Sequence, residues 1–243
     1  MSSLKFTHIQ QVQTLSFAPK IFCLWTGENT MSADRLNALK TIKNTGLQVI
    51  FIDRFSLNNW IVEGYQLHPA FKYLSAVHKA DYLRCYLMHH HGGGYTDIKF
   101  TTSSWISHFK ELMSSDHLLC GYQEKSFLDA ARGRGMVNDI WLAINYRNLV
   151  GNGAYICKPN TVITQNWITQ IDAILDKNYE ILSRYPARHP RDFYHKKLNN
   201  NEISRYPLRW TEICGEVFHP LCLKYHSKIL KHLPAPDFTK PYL

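Results

Sequence analysis

The sequence predicts a single α/β domain in which a central, mostly parallel β-sheet is flanked by helices. An apolar run follows Pro19, a helical pattern comes next, and a second apolar run rich in branched side chains follows. Strand, helix and strand within about thirty residues form a βαβ unit, which places both strands parallel in one sheet. The 243 residues, 45% of them apolar and 19% charged, can bury one sizeable core.

The first βαβ unit has recognisable start and stop residues. The opening strand spans 20–25, and the helix spans 32–45 with Ser32 as its N-cap and Gly46 at its end. The second strand spans 47–53. Its continuous apolar character predicts a buried strand of a parallel sheet.

The middle of the chain continues the alternation of helices and short strands. Apolar residues recur at helical spacing over 75–90, and the three glycines at 92–94 break that helix. Further short strands are predicted at 95–100, 118–123 and 153–159. A long amphipathic helix is predicted at 161–183, so the helical layer extends well into the second half of the chain.

The charge of the chain suggests anionic partners, since the formal net charge is +9 and the pI is about 9.2. Basic residues concentrate in 184–197 and at Lys224, Lys228, Lys231 and Lys240. They form either a solvated surface or a peripheral contact with anionic lipid headgroups near a lipid-linked acceptor. We expect no nucleic-acid partner, because the sequence has no zinc-finger spacing, ribonucleoprotein motif or basic zipper.

The six cysteines and the lack of long apolar segments indicate a cytoplasmic protein. The cysteines form no C-x-x-C pair and several lie in apolar runs, which indicates small buried hydrophobes rather than a disulfide framework. No stretch is apolar enough to span a bilayer, and residues 1–20 lack the apolar core of a signal peptide. We therefore expect a cytoplasmic location with peripheral contact at the inner face of the membrane.

The segment 78–100 concentrates the residues that carry chemistry. Asp81 and Arg84 are three apart on the predicted helix and therefore share a face. Tyr95 and Asp97 are two apart and point the same way in an extended chain. Because ligands of α/β sheets bind at the carboxyl ends of strands, this layout can hold a polyanionic ligand. Each feature also has a plainer interpretation as a surface ion pair, a turn residue or a helix stop.

Two sequence blocks resemble the signature of GT-A glycosyltransferases. Residues 80–84 read A-D-Y-L-R and residues 92–99 read G-G-G-Y-T-D-I-K, which is similar to the pattern S-D-x-x-R…G-G-x-Y-x-D-x-D. Residues 19–27, P-K-I-F-C-L-W-T-G, are similar to the opening strand P-K-I-I-H-x-I-W-x-G of the same group. That group comprises capsular-polysaccharide-synthesis and DXD sugar-binding proteins, related to yeast-type mannosyltransferases and glucosylating clostridial toxins. The resemblance extends to about residue 100.

The resemblance implies a role for each matched side chain. Trp25 would stack on the nucleotide base, and Thr26 and Gly27 would contact the nucleotide beside it. Asp81 would bind hydroxyls of the donor sugar. Arg84 would meet the sugar or the diphosphate, because a guanidinium pairs well with oxygen anions.

The resemblance also assigns residues further along the chain. Tyr95 would touch the phosphate, and Asp97 would face the ribose and a metal ion. Asn138 and Asp139 occupy a place where related enzymes contact the donor sugar, although an N-cap is the plainer interpretation of this pair. His219 would be a further metal ligand, as a C-terminal histidine is in some GT-A enzymes.

Lys99 stands where the family has the second aspartate of its metal-binding motif. That aspartate ligates a divalent ion, Mn²⁺ or Mg²⁺, which offsets charge on the leaving diphosphate. A protonated lysine cannot ligate either ion, so two interpretations stay open. Lys99 replaces the ion with its own ammonium, or it points away and Asp97 binds the ion with other ligands.

The resemblance implies a transferase built as one domain over 1–243, in which 19–160 forms a nucleotide-sugar-binding core. The helical, basic part over 161–243 would lie on the acceptor or membrane side. The implied reaction moves a sugar from a nucleotide-diphosphate sugar to a hydroxyl of a glycan or lipid-linked acceptor. It would retain the anomeric configuration and serve surface polysaccharide or glycoconjugate synthesis. The implied catalytic residues are Asp81, Arg84, Asp97 and Lys99.

Two other functions compete with transfer. Lys99 favours a catalytically impaired, transferase-like domain that only binds a glycan or nucleotide. The positive charge and the 13% aromatic content favour a basic nucleic-acid-binding domain.

Overall fold

A six-stranded sheet forms the centre of the computed structural model, which describes residues 19–198 and 201–240. Its strands are β1 (Lys20–Trp25), β2 (Gln48–Asp53), β3 (Gly93–Thr96), β4 (Leu119–Gln123), β5 (Val150–Cys157) and β6 (Ile229–Leu230). Their order across the sheet is β2-β1-β3-β5-β4-β6, and three of the five pairings are parallel. The predicted α/β class with a mostly parallel central sheet is therefore confirmed.

Helices cover both faces of the sheet. They are α1 (Ala33–Thr41), α2 (Ala76–His90), α3 (Ile106–Ser114), α4 (Met136–Ile144), α5 (Val162–Arg184) and α6 (Gly215–Lys224). Ser32 caps α1 and Ser75 caps α2, because each side chain accepts a hydrogen bond from a backbone N–H three residues on. The helix predicted at 32–45 finishes in a short 3₁₀ turn, after which Gly46 adopts a φ of 75°.

Two predictions, one about a strand and one about the end of a helix, were wrong in detail. β2 lies at the edge of the sheet, and of its residues only Ile52 is buried, so its apolar run does not mark a central strand. The three glycines do not all break a helix: Gly92 ends α2, whereas Gly93 and Gly94 belong to β3. A Cβ on Gly93 would lie 2.9 Å from the carbonyl oxygen of Lys20, so glycine there permits close approach of β1.

The core lies in two layers, one on each face of the sheet. Phe22 and Leu24 of β1 pack into the layer formed with α2, α5 and α6. Ile21 and Cys23 pack into the opposite layer, formed with α1 and α3. This alternation of side chains along β1 is the period of two that a strand buried on both faces requires. Five of the six cysteines are buried, as expected of small hydrophobes.

The direction of the sheet reverses between β3 and β5. Thr96 at the end of β3 pairs with Ala154, so the start of β5 lies beside the end of β3. One edge of the sheet therefore collects residues that follow β3 and residues that begin β5. β6 comes from the part of the chain after residue 160 and pairs with β4.

No helix within 19–198 or 201–240 is long and apolar enough to cross a bilayer. The prediction about a signal peptide concerns residues 1–20, and residues 1–18 lie outside the described part of the chain. The division at residue 160 and the cytoplasmic location stay predictions.

Candidate functional site

Asp81 and Arg84 form a buried ion pair on α2. Asp81 is 3% exposed and Arg84 is 7% exposed, and a guanidinium nitrogen of Arg84 lies 2.9 Å from Asp81 Oδ1. The plainer interpretation as a surface ion pair is therefore wrong, because both groups have lost most of their water. Burying two charges is costly unless each has close partners.

Arg84 is held by several partners at the reversal of the sheet. Its Nη1 donates a hydrogen bond to the carbonyl oxygen of Asn152 at 2.8 Å, and Nη2 lies 3.6 Å from Asp97 Oδ1. Its guanidinium also lies 4.8 Å from the centroid of the Tyr95 ring. Residues of α2, β3 and β5 thus fix one cation at one edge of the sheet. We call Asp81, Arg84, Tyr95 and Asp97 the Arg84 cluster.

Asp97 is the member of the Arg84 cluster that reaches solvent, since its side chain is 30% exposed. The Tyr95 hydroxyl donates to Asp97 Oδ1 at 2.9 Å, which confirms that the two side chains point the same way. Burial raises the pKa of Tyr95 well above its ordinary value, so its hydroxyl stays protonated as a donor.

Asp81 also has Cys214 and His78 as neighbours. Burial raises the pKa of Asp81, whereas the neighbouring Arg84 and a hydrogen bond with Cys214 oppose that shift. Burial lowers the pKa of His78, although Asp81 acts in the opposite sense. Its Nδ1 lies 2.9 Å from the Tyr206 hydroxyl, so the imidazole belongs to a neutral hydrogen-bond network.

Lys99 lies two residues after Asp97. Its backbone N–H donates to the Asp97 carbonyl oxygen at 2.7 Å, and its side chain is buried. Its ammonium lies 5.0 Å from the centroid of the Phe238 ring. Burial lowers the pKa of Lys99, the charges of Asp97 and Asp237 raise it, and Arg35 lowers it further.

Trp25 ends β1 and connects to the same edge of the sheet through Arg35. The indole N–H of Trp25 donates to the carbonyl oxygen of Asn29 at 2.9 Å, and its ring lies 5.8 Å from the Arg35 guanidinium. Arg35 in turn donates to the carbonyl oxygen of Ile98 at 2.9 Å. The sequence prediction missed Arg35. The available signal was a cation in the first turn of the helix that follows the Trp25 strand.

Thr26 and Gly27 follow β1 along the chain, and Gly27 packs against the start of α2. The Thr26 hydroxyl is shielded from solvent and has no hydrogen-bond partner among the described residues. A Cβ on Gly27 would lie 3.5 Å from the Cβ of Ala76, the first residue of α2. A buried hydroxyl without a partner is unusual in a folded protein.

Asn138 and Asp139 lie in the first turn of α4 and bind the loop before it. Asp139 accepts hydrogen bonds from the backbone N–H groups of Gly133 and Arg134 at 3.0 and 3.1 Å. The Asn138 amide donates to the Arg134 carbonyl oxygen at 3.1 Å. Asn138 also lines a cavity of about 500 Å³ whose other lining residues include Trp141. The N-cap of α4 is Gly135, so the N-cap interpretation of this pair is wrong, and both side chains instead bond the loop before the helix. The cavity lining does not include the Arg84 cluster.

His219 reaches the Arg84 cluster through Asn152. Its Nδ1 accepts the Ala131 N–H at 2.9 Å. Nε2 lies 3.1 Å from the Asn152 amide and 3.5 Å from Glu124. Because both ring nitrogens have partners, a metal-binding role would require one of these contacts to be exchanged.

This edge of the sheet thus combines an indole, three cations and an accessible carboxylate. The cations are Arg35, Arg84 and Lys99, and the carboxylate is Asp97. Such a set suits an elongated ligand with a flat ring and a polyanionic group.

Comparisons with known proteins give little further guidance. No protein-family model matches the chain, and no curated protein matches it. A solved structure described as "PaToxG Glycosyltransferase" is similar at a TM-score of 0.41 and 12% sequence identity. The match covers 68% of this chain and 64% of the other, so this chain spans less than two thirds of that protein's length. Similarity of this strength does not establish a shared activity.

Proposed function

We propose that this chain is a glycosyltransferase of the GT-A type, which uses a nucleotide-diphosphate sugar as donor. The observation that carries the proposal is the Arg84 cluster, in which the matched residues of two separate sequence blocks meet at one sheet edge. Trp25, from the matched segment 19–27, lies at the same edge through Arg35. The donor's base would stack on Trp25 and its diphosphate would lie among the cations.

The roles of the two carboxylates differ because their exposure differs. Asp97 is accessible, so we assign it to direct contact with the donor. Asp81 is almost wholly buried against Arg84, so we assign it to positioning the guanidinium rather than to contact with sugar hydroxyls. This division keeps a fixed cation in place before the donor arrives.

The donor set around Asp97 does not fit a divalent cation. A Mg²⁺ or Mn²⁺ ion prefers several oxygen ligands, whereas Asp97 lies 3.6 Å from a guanidinium nitrogen of Arg84 and close enough to Lys99 for its charge to raise the pKa of that lysine. Two neighbouring cations would repel a third. We therefore favour the interpretation in which Lys99 takes the place of the ion and offsets charge on the diphosphate.

In the proposed reaction the bond between the anomeric carbon and the diphosphate oxygen breaks, and the nucleoside diphosphate leaves. The acceptor hydroxyl oxygen bonds to the anomeric carbon and loses its proton. Arg84 and Lys99 stabilise the charge that develops on the leaving group. The retention implied by the sequence resemblance needs no dedicated base, since a departing phosphate oxygen can take the proton.

The proposal is tested by thermal shift and by donor hydrolysis with a panel of nucleotide sugars. We expect one donor class to raise the melting temperature equally with EDTA and with Mn²⁺, because ligands that bind only the folded state stabilise it. Lys99→Ala should abolish release of the nucleoside diphosphate, and Lys99→Arg should retain part of it. The exposed Lys110→Ala is the matched control. Loss of turnover on chelation, restored by Mn²⁺, would contradict the metal-free mechanism.

A second candidate is a domain that binds the donor without turnover. It is favoured by the burial of Lys99 beneath Phe238, which limits access to the ammonium. A thermal shift with no nucleoside diphosphate release, even with acceptor glycans present, would identify this case.

We further propose that α4 contacts an anionic membrane surface. Met136, Val137, Ile140, Trp141 and Ile144 are each between 55% and 81% exposed and form one apolar stripe along the helix. A surface helix normally turns such a stripe inward, so here it is available to an outside partner.

Charge around the apolar stripe supports an anionic surface as the partner. Lys125, Arg132, Arg134 and Arg147 are exposed in the segments that flank α4. An apolar helix face with basic neighbours matches the interfacial region of an anionic bilayer, where tryptophan is also favoured. The chain's charge of +9 acts in the same direction.

Vesicle sedimentation tests the membrane contact. We expect binding to phosphatidylserine-containing vesicles but not to phosphatidylcholine alone, and loss of binding for Ile140→Glu. Phe55→Glu is the control, because Phe55 is also highly exposed but lies after β2. Equal vesicle binding by the two variants would reject the assignment. It would also be rejected if the chain bound no vesicles but formed a dimer in sedimentation velocity that Ile140→Glu abolished.

A further inference from the structure

A second group of ligand-bearing side chains lies on α3 and on the segment after β6. His108 and Glu111 come from α3, and His232 comes from the chain just beyond β6. Each of the three offers a nitrogen or oxygen atom, and these atoms lie within 4.8 Å of one another. We call these three residues the His108 cluster. It shares no residue with the Arg84 cluster.

The spacing within the His108 cluster suits a metal ion. Residues three apart on a helix share a face, which brings His108 and Glu111 together. His232 Nε2 lies 2.8 Å from Glu111 Oε2, and the two imidazole centroids are 5.2 Å apart. Ligand atoms of a tetrahedral zinc site are about 3.3 Å apart, given bonds of about 2.0–2.1 Å. Small side-chain movements would therefore close the group around an ion.

One ring nitrogen of His108 has no hydrogen-bond partner among the described residues. That atom, Nδ1, is shielded from solvent. A buried polar nitrogen without a partner is unusual in a folded protein. Glu111 and His232 are about half-exposed, so an ion could enter from solvent and keep a water ligand.

We propose that His108, Glu111 and His232 bind Zn²⁺, with water in the fourth position. Two imidazoles and one carboxylate are ligands that zinc accepts, whereas Mg²⁺ prefers oxygen ligands alone. The alternative without a metal is a solvent-exposed ion pair between His232 and Glu111, in which His108 takes no part.

The proposed ion would fasten α3 to the C-terminal segment. Beyond His232, Leu233 donates to the Gly121 carbonyl oxygen at 3.1 Å, and Asp237 donates to that of Phe100 at 2.8 Å. The next residue, Phe238, covers Lys99. Zinc binding would therefore stabilise the segment that holds Phe238 in place, although no step of glycosyl transfer passes through the ion.

The test is isothermal titration calorimetry, in which ZnCl₂ is titrated into the full chain. The protein is first stripped of metal with a chelator, and the chelator is then removed by dialysis. We expect one equivalent to bind, and a thermal shift upward with Zn²⁺ but not with Mg²⁺. Co²⁺ in place of Zn²⁺ should give the visible absorption of a tetrahedral site. His108→Ala and Glu111→Gln should each weaken Zn²⁺ binding by about a hundredfold or more.

The exposed His226→Ala is the matched control and should leave Zn²⁺ binding unchanged. Unchanged affinity in both His108→Ala and Glu111→Gln would overturn the proposal, as would the absence of saturable Zn²⁺ binding. Circular dichroism of each variant checks that it folds. Because the donor thermal shift is measured separately in EDTA, failure here is distinguishable from failure of the glycosyltransferase proposal.

Discussion

The Arg84 cluster and the apolar stripe of α4 distribute polarity in opposite ways. At the first, Asp81 and Arg84 are withdrawn from water into the middle of the protein. At the second, five large apolar side chains of α4 face outward. Neither arrangement favours folding by itself. Buried ions lose their hydration, and apolar side chains that stay in water contribute no hydrophobic stabilisation.

The difference agrees with the two partners proposed for these regions. A buried ion pair with fixed geometry preorganises charge for a polar ligand that arrives in a defined orientation. An exposed apolar stripe needs only a surface that excludes water, and it tolerates variation in its partner. We therefore expect mutations in the two regions to differ in kind: those in the cluster should change stability and chemistry, and those on the stripe should change only association.

The largest effect should come from Asp81→Ala. Removing one member of a buried pair leaves Arg84 charged and poorly compensated, so we expect a loss of roughly 3–5 kcal/mol in the free energy of unfolding. Urea denaturation followed by circular dichroism measures it. Glu202→Gln, which weakens the half-exposed pair with Arg188 at 2.7 Å, is the control and should cost far less. Equal losses for the two variants would show that burial does not distinguish these pairs.

A somewhat smaller loss is expected from Leu142→Ala on the inner side of α4. Leu142 is buried, and truncating a buried leucine removes transfer energy and leaves a cavity, at a cost of about 2–5 kcal/mol. Urea denaturation again gives the value. A change below about 1 kcal/mol would mean that α4 is only loosely attached to the core.

Acid should destabilise the protein through the histidines of α2. Burial, aided by His89 and His91, lowers the pKa of His90 to about 4 from 6.5. Between these values the unfolded chain binds one more proton than the folded chain, so stability falls as the pH drops from 6.5 toward 4. The slope from one such group is about 1.4 kcal/mol per pH unit at most. Urea midpoints at several pH values should fall less steeply for His90→Asn, while the exposed His226→Asn should behave like the parent chain.

The smallest effect should come from Ile140→Ala on the outer side of α4. Ile140 is more than half exposed, so its truncation should change the free energy of unfolding by no more than about 0.5 kcal/mol. Vesicle binding by the same variant should nevertheless weaken measurably. Loss of stability comparable to that of Leu142→Ala would show that the stripe is packed in solution against a second copy.

The sequence predicted those parts of the structure that depend on local spacing. The cap at Ser32 follows from residue type and position, because a hydroxyl before a helix satisfies a free N–H group. The shared face of Asp81 and Arg84 follows from the helical period, and the contact of Tyr95 with Asp97 follows from the strand period.

Features that depend on how distant elements meet could not be predicted. Arg35 binds the carbonyl oxygen of Ile98, 63 residues away, and Arg84 binds that of Asn152, 68 residues away. These bonds require the order of strands and the reversal at β5, which no local pattern encodes. The edge position of β2 was missed for the same reason, since an apolar run does not reveal how many neighbours a strand has.

The anchoring of Arg84 has a kinetic consequence. Its guanidinium is held by Asp81, Asp97 and the Asn152 carbonyl oxygen, all of them groups of the fold itself, so no search among rotamers should precede capture of the proposed donor at this position. Stopped-flow mixing should therefore show a single bimolecular phase whose rate constant rises linearly with donor concentration. Any slow, concentration-independent step would have to arise in another part of the chain, and Phe238 above Lys99 is the first place to look for it.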